Sequence, residues 1–200
     1  MKRVVLFSLL FAASVYAQAR KYTLPPPDMA GQVSNPARVV PRPADKSLSV
    51  PAGFSVEEYA SGFGKPRELL QLPGGAVLVT ESLPAPKGAV LLVARGKDHK
   101  PLISGLDRPF GMAFHDGYLY VAEPEALKRY KIDPAGPAAG PAEKLVEWKG
   151  YGKGHWTRSV AIDGKARKIY VSVGSGSNVD LGDPADRNAV NVYNLDGSGA

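Results

Sequence analysis

The chain has 200 residues, with 25 lysines and arginines against 19 aspartates and glutamates, a formal net charge of +6 and no cysteine. Without cysteine there can be no thiol nucleophile, thiolate zinc site, covalently attached c-type haem or disulfide staple, so stability must come from core burial and backbone pairing. The basic excess is mild and forms no block, which gives no support to a nucleic-acid partner, while 22 glycines and 18 prolines favour one β-rich, loop-rich domain.

Residues 1–19, "MKRVVLFSLLFAASVYAQA", place Lys2 and Arg3 before an apolar run from Val4 to about Val15, then small residues around Ala17 and Ala19. This is the pattern of a secretory signal, too short for a bilayer-spanning helix of roughly 20 apolar residues. Cleavage would leave 23 basic against 19 acidic side chains and no membrane span. A periplasmic or secreted location is therefore expected, and a disulfide-free exported chain suits a bacterial periplasm. Residues 20–50 are dense in proline and show neither hydrophobic period, so they read as an extended arm or linker.

From Pro51 the pattern changes. Three segments share one plan: "KPRELLQLPGGAVLVTES" from Lys65, "RPFGMAFHDGYLYVAE" from Arg108 and "WTRSVAIDGKARKIYVSVGS" from Trp156. Aligned on Pro66, Pro109 and Thr157, they recur at about 43 and 48 residues. Each predicts a strand, a turn with glycine (Gly74-Gly75, Gly117 or Gly164, supplying positive φ) and a second strand ending on small or acidic residues. Further strands are predicted in "GAVLLVAR", "ALKRYKID" and "NAVNVYNLDG". Four short strands per forty-odd residues, with no sustained helical period, predict an all-β fold, a β-propeller of which residues 51–200 supply about three blades.

In a propeller the first strand of each blade lines the central channel. Glu81, Glu123 and Asn178 follow second strands, while His155 and Arg158 flank the entry to an inner strand, so all five are candidates to converge at a channel mouth. Asp180, Asp183 and Asp186 lack the order of an EF-hand loop and read as a solvated turn rather than a calcium site. His99 and His115 read as ordinary histidines.

The block "GHWTRSVAID", followed by "KIYVSVGSGSNV" and "NAVNVYNLDGSGA", resembles the soluble glucose/sorbosone dehydrogenases that depend on pyrroloquinoline quinone (PQQ), six-bladed propellers of the bacterial periplasm, and the sorbosone dehydrogenase-like branch in particular. The resemblance spans roughly residues 51–200, and the His155 block is its one sharp motif. It implies a sugar or aldehyde substrate, PQQ and calcium as cofactors, and His155 as the general base that takes a proton from the substrate hydroxyl, a task suited to imidazole. Arg158 and Asn178 would line the cofactor site or brace the loop, and Trp156 would stack over a cofactor or sugar ring or pack. One departure bears on substrate preference: Arg158 stands three residues after His155, where members nearest glucose dehydrogenase have four. The family's quinone-gripping cations and much of its calcium site come from later blades, so the resemblance implies that these 200 residues are part of the working protein and inactive alone. Two other classes stay open: a calcium-dependent propeller lactonase using Glu81 and Asn178, and a non-enzymatic binding propeller.

Overall fold

The computed structural model describes Thr23, Pro25 and residues 37–41, 43–133, 138–178 and 182–199. The expected leader, the arm up to residue 36 apart from Thr23 and Pro25, and Asp180 lie outside them. Two units divide the chain, Met1–Val33 and Ser34–Ala200, and the strands described below belong to the second. No helix among the described residues is long and apolar enough to cross a membrane.

Among the described residues eleven strands form three antiparallel meanders. The first sheet is β1 (Pro66–Gln71), β2 (Val77–Glu81), β3 (Gly88–Val93) and β4 (Lys100–Leu106), in that order. The second is β5 (Met112–His115), β6 (Tyr118–Glu123), β7 (Ala126–Ile132) and β8 (Ala139–Glu147). The third holds β9 (Val160–Asp163), β10 (Lys168–Val173) and β11 (Ala189–Asn194). These are consecutive blades of a partial β-propeller, with β1, β5 and β9 as its adjacent inner strands. The Met112 N–H donates to Glu68 Oε1 at 3.2 Å between the first two, and the Gly111 N–H donates to the Arg158 carbonyl at 2.8 Å between the last two.

Burial shows how the blades stack. All of β6 after Tyr118 is buried, and so is all of β2 after Val77, whereas β10 alternates buried and half-buried residues. A sheet covered on both faces reads as a continuous apolar run, and one covered on a single face alternates. Between the first two sheets lie Leu78, Val90, Leu119, Val121 and Tyr130; between the second and third lie Leu127, Trp148, Ile169, Val171 and Tyr193. The far face of the first sheet is packed by Ala60 and Phe63, from the segment leading into β1. The far face of the third presents Val190 and Val192, 61% and 38% exposed.

The turns refine the sequence reading. Asp116 and Gly117 both take positive φ and join paired His115 and Tyr118, a two-residue hairpin as expected. In the third hairpin the left-handed residue is Arg167, not Gly164, because the loop has four residues and Asp163 Oδ1 accepts the Ala166 N–H within it. Gly164 is small for another reason: a Cβ there would lie 2.5 Å from the His115 ring of the neighbouring blade.

Candidate functional site

The site lies at the end of the third sheet where β9 begins and β10 ends. The approach segment (151–158) and the exit segment (174–178) run against each other there. The His155 N–H donates to the Ser175 carbonyl at 3.1 Å, and a Cβ on Gly174 would lie 2.5 Å from that of His155, so only glycine permits this approach.

His155 is exposed. Its Nδ1 lies 2.7 Å from Ser175 Oγ and 3.2 Å from the Ser175 carbonyl oxygen. Among the described residues no hydrogen bond engages Nε2. The arrangement can present a ring nitrogen to a ligand hydroxyl.

Arg158 is fully buried and serves the loop. Its Nη1 donates to the carbonyls of His155 and Thr157 at 2.8 and 2.9 Å, and its Nη2 to that of Tyr151 at 2.9 Å. Its Nε is buried without a hydrogen-bond partner among the described residues. Burial first, and then the nearby Arg187 cation, push Arg158 down to about 10, which leaves it charged at neutral pH.

Arg187, which the sequence did not single out, does the same from the other side. It donates through Nε to the Gly174 carbonyl and through Nη2 to those of Ser175 and Lys153, at 3.1 to 3.2 Å, and stacks over Tyr151 at 4.6 Å. Asp183, 3.9 Å from its Nε, accepts the Gly176 N–H, and Asp186 accepts the Tyr151 hydroxyl at 2.7 Å. The acidic turn is therefore not simply solvated, because Asp183 and Asp186 lock it to the loop. The Asp183/Arg187 spacing of four residues was the one available signal.

Trp156 is half-buried, edge-on to Phe110 at 6.3 Å and under the Arg108 guanidinium at 5.4 Å. That places it in the seam with the second blade. Arg108 also donates to the Gly152 carbonyl at 3.0 Å while chelating Asp107. Asn178 is exposed at the end of the exit segment. The two glutamates do not join His155: Glu81 accepts the Gly64 and Lys65 N–H groups, and Glu123 pairs with Lys128 at 2.7 Å. Among the described residues no three histidine, aspartate or glutamate side chains gather as a metal site. His99 stacks on Phe63 at 4.5 Å.

No protein-family model and no curated protein sequence matches the chain. Solved structures do. The holo form of the PQQ domain of pyranose dehydrogenase from Coprinopsis cinerea matches with TM-score 0.57 and 20% identity, over 69% of this chain and 35% of that one. Calcium and iodide structures of a Trichoderma reesei carbohydrate-active enzyme of family AA12 match with TM-scores of 0.58 and 0.57, both at 18% identity. They cover 71% and 68% of this chain, and 38% and 37% of those. The chain thus spans little more than a third of the structures it resembles, and at this identity the likeness is one of fold.

Proposed function

We propose that this chain forms part of an exported quinoprotein dehydrogenase that oxidises a sugar or aldehyde, in the manner of the glucose/sorbosone enzymes, with PQQ and calcium as cofactors. The fold likeness to PQQ domains supports the class. The observation that carries the chemistry is His155, exposed at the entry to an inner strand with one ring nitrogen held and the other unengaged among the described residues.

The described residues supply a base but no cradle for either cofactor. Arg158 and Arg187 are committed to backbone carbonyls and Arg108 to Asp107, which leaves none of them to grip quinone carboxylates; nor do three histidine, aspartate or glutamate side chains gather among the described residues. Bound PQQ would supply the acceptor for the substrate's electron pair. What this chain supplies is the proton step: His155 Nε2 takes the hydroxyl proton of the substrate and becomes imidazolium. Arg158 and Arg187 hold the loop that fixes the ring.

The test adds PQQ and calcium to the purified full-length apoprotein and follows reduction of an artificial dye by aldoses and aldehydes. Cofactor-dependent turnover is expected, falling at least about a hundredfold in His155→Ala with unchanged thermal stability. Lactone hydrolysis without dye reduction would replace this reading by the lactonase, and full activity of His155→Ala would remove the base from His155.

A further inference from the structure

The hydrogen bonds around Ser175 fix where the His155 proton sits. A serine hydroxyl has one hydrogen to give, and Ser175 Oγ gives it to the Ser177 carbonyl at 2.8 Å. Towards His155 Nδ1, 2.7 Å away, the same oxygen can therefore only accept. The Ser175 carbonyl is no rival acceptor of equal standing. It lies at 3.2 Å, and its two lone pairs already receive the His155 N–H and Arg187 Nη2, both at 3.1 Å.

We infer that Ser175 is a positioning residue that holds the neutral imidazole of His155 as the Nδ1–H tautomer, leaving Nε2 as the basic nitrogen. The inference rests on the reading of His155 as a base for its meaning in turnover, but the tautomer itself does not depend on that reading. The proton path balances. The substrate O–H bond breaks, Nε2 gains the proton, and the imidazolium keeps its Nδ1–H donated to Ser175 Oγ, whose own hydrogen stays donated to the Ser177 carbonyl. The partner is a neutral hydroxyl. The charged groups packed on the loop include Arg158, which donates to the His155 carbonyl, Arg187, which donates to the Ser175 carbonyl, Asp183, which accepts the Gly176 N–H, and, further from the ring, Arg108 on the Gly152 carbonyl, Glu125 on the Gly152 N–H and Asp186 on the Tyr151 hydroxyl.

The test is ¹⁵N nuclear magnetic resonance of histidine-labelled full-length protein at a pH where the ring is uncharged. The first 200 residues contribute only three histidines, and His155→Asn identifies the resonance. The expected spectrum shows Nδ1 protonated and Nε2 bare. In Ser175→Ala the Nε2–H tautomer should gain population and turnover should fall about tenfold at little changed KM, with Ser175→Thr restoring both. A wild-type ring protonated on Nε2, or a tautomer unmoved in Ser175→Ala, would overturn the inference. A confirmed Nδ1–H ring in a protein whose His155→Ala variant remains fully active would leave the tautomer standing and sink the proposed function instead.

Discussion

Arg158 shows how a residue can be found in a sequence and its work left open between two roles. Its distance from His155 marked it, and its candidate roles were to line a cofactor site or to brace the loop. It is fully buried, with Nη1 and Nη2 on three carbonyls. Ser175 and Arg187 gave no comparable signal, because their partners lie in a different strand-end segment and only β-pairing brings the two together. A second inner-strand residue yields a pH prediction. Burial raises the Glu68 carboxyl above its usual range, outweighing the Met112 N–H that favours the anion. A carboxyl whose folded-state pKa exceeds its unfolded value costs stability while ionised, and the cost disappears as pH falls through the folded value. Glu68→Gln, which keeps an acceptor for Met112, should raise the neutral-pH Tm by roughly 1–2 °C. The gain should vanish in thermal scans near pH 4. A lower Tm at neutral pH would mean that the charge stabilises.

At the scale of elements, the inner hairpins were legible because alternation, β-branched residues and turn chemistry agreed in each. The outer strands β4 and β8 were not. "KPLISGL" and "AGPAEKLVE" carry proline and glycine, are mostly exposed or half-buried, and pair through irregular registers, so neither period is visible in them. The seam between the second and third blades depends on Gly111, where a Cβ would lie 2.4 Å from the Arg158 carbonyl oxygen and 2.7 Å from the Val160 nitrogen. Both atoms are backbone and cannot swing aside. Gly111→Ala should cost about 1–3 kcal/mol, read as a lower urea midpoint. It should also shift the His155 resonances, since the displaced carbonyl belongs to the same loop. A wild-type midpoint would show that the blades part without strain.

On the scale of the whole molecule, the second sheet is covered on both faces and the third on one. Val190 and Val192 stand on its bare face beside Tyr170 and Ser172. An apolar sheet face open to water favours association. The isolated 200-residue chain should therefore self-associate with rising concentration in sedimentation velocity, and Val190→Lys with Val192→Lys should reduce it; a monomer at high concentration would contradict this. The sequence showed the number of blades and the alternation of β10. It could not show that the first sheet is closed off by Ala60 and Phe63, because those residues belong to a segment without periodicity. Stacking in series has a further result. In the isolated 200-residue chain each blade borrows its cohesion from the next, so opening is graded: the third sheet frays first, while the amides of β6 exchange with solvent last. A cavity cut at Val121 or Leu119 loosens the joint with the first blade and one at Ala122 or Leu127 the joint with the third, so the middle blade alone decides whether the array melts as one unit or as two.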